Sequence, residues 1–121
     1  MVVDFIRLRD TLSGIVATLD HRMLLPTRSR LLHVAAAAAP PEFGGPGRRE
    51  VTVRFKDRRW VFPEDECRLL PVENTTAEWI ARWIGGELIT AMTAAGTPIA
   101  GCLRIEVDEC LGQSAVWERS P

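Results

Sequence analysis

Apolar residues recur at spacings of three and four in two segments of the chain, which predicts two amphipathic helices. The first stripe runs from Phe5 to Leu19, and Asp4 is placed to cap its start. The second stripe consists of Ile80, Ile84, Leu88 and Met92. The stretch Thr75-Thr76-Ala77-Glu78 before it predicts a capping box, in which Thr75 and Glu78 satisfy each other's backbone donors.

Strict alternation of apolar and polar residues predicts strands elsewhere in the chain. Residues 51–55 and 60–62 alternate on either side of Lys56-Asp57, which predicts a hairpin. Residues 103–107 and 114–117 alternate near the end of the chain and predict two closing strands. The order of helix, hairpin, helix, strand and strand predicts an α+β fold with two helices on an antiparallel sheet. A two-stranded sheet is marginal by itself, so we expect further strands that are missing from this chain or supplied by another.

The connection between the helices is long, and its first part has an unusual composition. Residues 35–49 are rich in alanine, then in proline and glycine, which predicts an irregular, mobile loop. The remainder of the 26–70 connection holds the predicted hairpin. With 121 residues in total, we expect residues 1–121 to form one domain.

Composition narrows the class of protein. The net charge is −1, so no basic patch for nucleic acid is expected. No apolar run approaches the ~20 residues that span a bilayer, and the first residues do not resemble a signal peptide. The three cysteines form no CxxC pair, which favours a reducing, cytoplasmic setting. The two histidines, His21 and His33, cannot build a three-histidine metal site from this chain alone.

The adjacent residues Asp20 and His21 are the first candidates for chemistry. A carboxylate beside an imidazole can fix its tautomer and raise its basicity, as a proton relay requires. A single adjacent pair is a weak motif, and His21 has a second interpretation as a cation that caps the end of the first helix.

Carboxylates near the second helix and the last strands supply further candidates. The period of residues 103–107 directs Glu109 to the apolar face, where a carboxylate needs a partner such as the N–H groups of a ligand. The alternative is a solvated charge at the end of a strand. Thr76 and Glu78 are polar candidates as well, although helix capping already accounts for Glu78. Cys110 is more typical of a small strand-edge residue than of a nucleophile.

Taken in order, these segments resemble the 6-pyruvoyl/6-carboxy-tetrahydropterin synthase family. The start Met-Val-Val-Asp-Phe, followed by Leu19-Asp20-His21, is similar to its "G-M-V-x-D-F … L-D-H" segment. Residues 74–81 resemble its "P-T-x-E-N-x-A" helix start, and residues 107–115 resemble its closing "V-x-E-T … A-x-Y". The resemblance extends from residue 1 to about residue 117, apart from the connection between 26 and 70, which is longer than most members have.

The resemblance implies a tunnelling fold (T-fold), in which four-stranded sheets join into barrels in a homo-oligomer, a hexamer in the family. It implies a lyase that acts on 7,8-dihydroneopterin triphosphate, with zinc as cofactor and triphosphate as leaving group. The 6-carboxy branch, on the route to queuosine, is favoured. The implied partner is thus the small pterin triphosphate, and neither nucleic acid nor a membrane is expected.

Matched residue by residue, Asp20 and His21 correspond to the family's proton relay. Glu109 corresponds to the carboxylate that anchors the pterin ring, and Thr76 and Glu78 to polar positions near the pterin. The family's zinc histidines and catalytic cysteine lie on two strands that precede the position of Met1. We therefore expect no zinc ligand in this chain and no turnover by the chain as given.

Two other functions remain open at this point. The chain is either a shortened, non-catalytic relative that binds a pterin or another subunit, or an unrelated small α+β interaction module.

Overall fold

The computed structural model describes residues 5–108 and 114–120. Its helices are α1 (Phe5–Ala17) and α2 (Ala77–Ala94). Its strands are β1 (Met23–Pro26), β2 (His33–Ala38), β3 (Arg49–Phe55), β4 (Arg58–Pro63), β5 (Cys67–Leu70), β6 (Leu103–Asp108) and β7 (Ser114–Arg119). The predicted α+β class is confirmed. None of the described helices combines the length and the apolar character needed to cross a bilayer.

The chain divides into two compact units, and the expectation that residues 1–121 form one domain stays a prediction. The helical unit comprises the residues up to Asp20 and those from Thr76 on, and the inserted unit comprises His21–Thr75. Each unit encloses an apolar cluster of its own. The 26–70 connection therefore carries a separate core, because its strands bring enough apolar side chains together to bury them locally.

The helical unit is organised around α2. Six residues of this helix are buried at spacings of three and four: Ala77, Ala81, Ile84, Gly85, Leu88 and Met92. Helix α1 packs against α2, and the antiparallel pair β6–β7 also packs against α2. Ile105 and Ala115 are the buried residues of that pair, and Trp117 packs against the same cluster. The alternation predicted for β6 and β7 thus directs one face of the hairpin onto the helix.

The start of α2 lies one residue later than the predicted capping box. Thr76, not Thr75, is the N-cap, and its hydroxyl accepts a hydrogen bond from the backbone N–H of Trp79 at 3.4 Å. The third helical position is therefore occupied by Trp79, so Glu78 cannot complete the box. Glu78 instead lies in the first turn, where a carboxylate interacts favourably with the helix dipole.

The predicted hairpin of the inserted unit is confirmed. Strands β3 and β4 pair in antiparallel fashion with Phe55 opposite Arg58, so Lys56 and Asp57 form a two-residue turn. Lys56 has a φ of 57°, the left-handed conformation that such turns demand. Val51 and Val53 are buried on the inner face of the sheet.

The expectation of an irregular segment over 35–49 is wrong for its first part. Residues 35–38 belong to β2, which pairs with β3 and extends the hairpin to three strands. Two short 3-10 turns follow, at Pro41–Phe43 and Gly45–Gly47. The backbone N–H of Ala39 donates to the carbonyl of Arg48 at 2.8 Å and closes this loop. Residues 35–38 are therefore extended because their backbone pairs with β3, and not because of any preference of the alanine side chains.

Strands β1 and β5 form a parallel pair, which the antiparallel expectation did not include. Met23 lies opposite Cys67 and Pro26 lies opposite Leu70. Leu25 of β1 and Cys67 of β5 pack with Val51 and Val53 in the core of the inserted unit. The first and last strands of the insertion are therefore side by side.

Candidate functional site

Asp20 and His21 lie on the surface after α1, which ends at Ala17. The hydroxyl of Thr18 donates to the carbonyl of Ile15 at 2.7 Å and provides a local partner for a helix-end carbonyl. His21 has a φ of 56°, a left-handed conformation that is uncommon for a residue with a side chain. Such a conformation persists where the surrounding structure imposes it, and functional sites are enriched in it.

Thr76 and Glu78 lie together at the start of α2, both exposed. The Thr76 hydroxyl accepts one hydrogen bond from the helix and still has its O–H to donate to a ligand. Glu78 makes no hydrogen bond or ion pair to any residue that the structure describes. Its carboxylate is thus available to a ligand on the solvent side of the helix start.

The candidates Glu109 and Cys110 lie outside the described residues. The strand that leads to them is described, and it shows the predicted alternation. Leu103, Ile105 and Val107 pack against the apolar cluster, while Arg104 and Glu106 are exposed. The role of Glu109 stays a prediction.

The described residues do not fit a zinc ion. Among residues 5–108 and 114–120, no three His, Cys, Asp or Glu side chains gather closely enough to hold a metal. His33 begins β2 and pairs with Arg54 across the sheet, with its side chain exposed.

A polar cavity in the inserted unit was not predicted from the sequence. It has a volume of about 720 Å³ and lies between the start of β3 and the turn before β5. Four arginines line it, with two carboxylates and a thiol: Arg22, Arg48, Arg49, Arg68, Glu64, Asp65 and Cys67. We call it the arginine cavity. In the sequence, the adjacent pair Arg48-Arg49 in the glycine-rich stretch is the local feature that could have indicated this cavity.

Cys67 is not suited to act as a nucleophile in this cavity. Burial raises the pKa of its thiol, and the neighbouring carboxylates of Glu66, Asp65 and Glu64 raise that pKa further. The thiolate is the nucleophilic form, and a raised pKa keeps the thiol protonated at neutral pH. Its Sγ instead lies 3.5 Å from the carbonyl oxygen of Pro63.

Comparison with known proteins identifies the family. A family model described as 6-pyruvoyl tetrahydropterin synthase matches residues 1–120. The chain therefore belongs to the 6-pyruvoyl tetrahydropterin synthase family. The resemblance noted from the sequence is confirmed, and the unrelated interaction module is ruled out.

Individual relatives agree with this assignment. A putative 6-carboxy-5,6,7,8-tetrahydropterin synthase of Methanocaldococcus jannaschii is 23% identical over 120 residues, covering 98% of this chain and 66% of the relative. The chain thus spans slightly less than two thirds of that protein's length.

Two solved structures share the fold. The 6-pyruvoyl tetrahydropterin synthase of Plasmodium vivax matches with a TM-score of 0.75 at 20% identity, over 98% of this chain and 69% of that one. The Plasmodium falciparum enzyme matches with a TM-score of 0.75 at 23% identity, over 100% of this chain and 70% of that one. The predicted tunnelling-type fold is confirmed.

Proposed function

We propose that this chain forms part of a lyase of the 6-carboxy-tetrahydropterin synthase type. Its substrate would be 7,8-dihydroneopterin triphosphate, with triphosphate as the leaving group and zinc as the cofactor, in the route to queuosine. The family match over residues 1–120 carries the proposal, because it includes both segments that hold Asp20, His21, Thr76 and Glu78. Residues other than those described would have to hold the zinc.

Asp20 and His21 are proposed to move the proton. Elimination of a phosphate ester group from a side-chain carbon needs a base that takes a proton and an acid that returns one. A histidine can serve both purposes near neutral pH, because its imidazole can take up a proton and give it back. The left-handed backbone at His21 holds this residue in a conformation that most side chains avoid, which supports a specific role for it.

Glu109, Thr76 and Glu78 are proposed to bind the pterin. A carboxylate can accept two N–H donors from a heterocycle, and Glu109 follows a strand whose alternate residues face the apolar cluster. Thr76 has a hydroxyl proton to donate, and Glu78 has a carboxylate to accept. We expect the enzyme to assemble as a homo-oligomer and to act in the cytoplasm.

The test of this proposal is turnover by the protein extended upstream with the family's zinc-binding strands. His21→Ala should lower kcat by about 100-fold or more, the usual scale for a lost acid–base group. His33→Ala is the matched control, because it removes the other exposed histidine from β2 and should leave kcat unchanged. Equal effects of the two substitutions, or turnover by His21→Ala within a few-fold of the parent, would refute the relay.

Pterin binding tests the second part of the proposal. Glu109→Gln should weaken pterin affinity by about 1.5–3 kcal/mol, the range for a hydrogen bond to a charged group, while the melting temperature holds or rises. Calorimetric titration gives the affinity directly. An unchanged affinity would remove Glu109 from the site.

A second candidate function is supported by the exposed surface of α1. Phe5 is 73% exposed and Ile6 is 66% exposed, at one end of a helix that buries no residue. Together with a sheet that has two strands among the described residues, this surface favours a non-catalytic relative that binds a pterin or another subunit. If the extended protein binds the pterin but does not turn it over with zinc present, this second function is the correct one.

A further inference from the structure

The charge around the arginine cavity is strongly unbalanced, although the chain as a whole is nearly neutral. Its lining has four arginines against two carboxylates, and the thiol of Cys67 is neutral. Glu64 is engaged with Arg49, whose Nε lies 3.0 Å from the Glu64 carboxylate. Asp65 is the remaining carboxylate of the lining, and Arg68 already donates to the carbonyl oxygen of Leu69 at 3.5 Å. A surplus of positive charge therefore faces the space inside the cavity.

Two of these arginines have unused donors. Among the residues that the structure describes, neither Arg22 nor Arg48 makes a side-chain hydrogen bond or ion pair. Each guanidinium carries five N–H donors in a planar fork that matches the oxygens of a phosphate. A ligand with several anionic oxygens is the natural partner for such a set.

The backbone positions Arg48 against a glycine. Gly44 has a φ of 107°, and a Cβ at this position would lie 2.7 Å from the Cδ of Arg48. The aliphatic part of Arg48 therefore lies over the glycine, in space that any other residue would occupy. Arg48 also lines the arginine cavity, so this contact restricts the conformations of a side chain that borders it.

From these observations we propose that the arginine cavity binds a phosphate-type oxyanion, carried by a small phosphorylated molecule, between Arg22 and Arg48. The volume of about 720 Å³ exceeds the need of a single phosphate and accommodates a ligand with a further group. The proposal concerns the inserted unit alone, and it does not rest on the proposed lyase activity.

The test is calorimetric titration of the intact chain with inorganic pyrophosphate at low ionic strength. We expect saturable binding that weakens as salt is added, since the contact is between charges. Arg22→Gln and Arg48→Gln should each weaken binding by about tenfold, the scale of one charge-assisted hydrogen bond. Both side chains are exposed, so the fold should persist, and circular dichroism checks this.

Arg59→Gln is the matched control. Arg59 is an exposed arginine of the same unit, four residues before Pro63 on β4 and thus about 13 Å from this edge of the cavity. The Arg59→Gln variant should bind pyrophosphate with an affinity within twofold of that of the parent. Asp65→Asn should raise the affinity roughly threefold, because it removes a repelling charge of the size seen in exposed pairs. If these residues acted only on the stability of the fold, Asp65→Asn would not raise the affinity while the two arginine variants lower it.

Three results would overturn the proposal. The first is that pyrophosphate shows no saturable binding to the parent chain. The second is that its affinity is unchanged in both Arg22→Gln and Arg48→Gln. The third is that Arg59→Gln loses as much affinity as the cavity variants, which would indicate diffuse charge attraction. Loss in the two cavity variants with retention in Arg59→Gln would support it, whether or not the extended protein shows lyase activity.

Discussion

The two helices of the helical unit bury very different parts of their surfaces. Helix α2 buries six residues, and Leu88 and Met92 are almost completely enclosed. Helix α1 buries none, although Leu8, Leu12 and Ile15 pack partly against the α2 cluster. The difference arises because α2 contacts both α1 and the β6–β7 pair, whereas α1 covers only one side of α2. Similar apolar stripes in the sequence thus lead to a central helix and a peripheral one.

This difference predicts where substitutions destabilise the unit. The four tryptophans allow it to be measured separately, because Trp60 lies in the inserted unit and the other three, Trp79, Trp83 and Trp117, in the helical unit. Fluorescence in a Trp60→Phe background therefore reports the unfolding of the helical unit. The predictions below run from the largest expected effect to the smallest.

The largest effect is expected at the centre of α2. Leu88→Ala should lower the free energy of unfolding by about 2–5 kcal/mol, because it leaves a cavity in a packed core. Leu12→Ala on α1 removes the same atoms from a half-buried site and should cost about 1 kcal/mol. Urea denaturation followed by fluorescence measures both, and equal losses would contradict the central position of α2.

The next effect concerns the close packing of α2 on β7. A Cβ at Gly85 would overlap the ring of Trp117, whereas a Cβ at Gly86 would meet nothing within 4 Å. Gly85→Ala should therefore destabilise the helical unit by about 1–3 kcal/mol, as overpacking does. Gly86→Ala, its neighbour in the same helix, should stabilise the unit by about 0.5–1 kcal/mol. The melting temperatures of the two variants, compared with that of the parent, test this difference in sign. A higher melting temperature in both would show that Trp117 moves aside at no cost.

A smaller effect is expected at the start of α2. Thr76→Ala removes the hydroxyl that accepts from Trp79 and should cost about 1 kcal/mol. Thr75→Ala is the control, because the preceding threonine is not the N-cap. A larger loss in Thr75→Ala would restore the capping box predicted from the sequence.

The smallest effect on stability is expected on the outer surface of α1. Phe5→Ser with Ile6→Ser should change the free energy of unfolding by less than about 0.5 kcal/mol, because both side chains are exposed. The same change should reduce self-association, measured by sedimentation velocity, since it removes an apolar patch. Leu31→Ser, at a site 75% exposed in the inserted unit, should leave self-association unaltered. If the α1 variant associates as the parent does, the patch plays no part in assembly.

The sequence predicted the elements whose signal is local. The stripe of α2 and the alternation of β3, β4 and β6 are complete within short windows, and the structure has all of them. Strand β2 escaped prediction because a run of alanines has no amphipathic pattern, and only its pairing with β3 makes it extended. The capping register was wrong by one residue because two adjacent threonines offer the same hydroxyl.

The candidate functional residues likewise fall into those with a local signal in the sequence and those that only the fold brings together. The motif residues Asp20, His21, Thr76 and Glu78 could be proposed from the sequence because each pair is contiguous or nearly so, and their roles stay predictions. The arginine cavity could not, because Arg22, Arg48 and Arg68 are far apart in the chain. They meet only when β5 returns beside β1 and β3 starts next to the turn before β5.

The parallel pairing of β1 with β5 has a consequence for how the insertion can vary in length. Because Met23 lies beside Cys67, the chain between the two strands starts and finishes at fixed, neighbouring points, about 10 Å apart along the strand direction. Lengthening a chain held at both ends is cheap, since doubling it costs only about 0.6 kcal/mol of closure entropy. Residues can therefore be gained or lost between β1 and β5 while the two anchoring strands keep their register. The points where the chain enters and leaves the inserted unit therefore constrain the length of its loops only weakly.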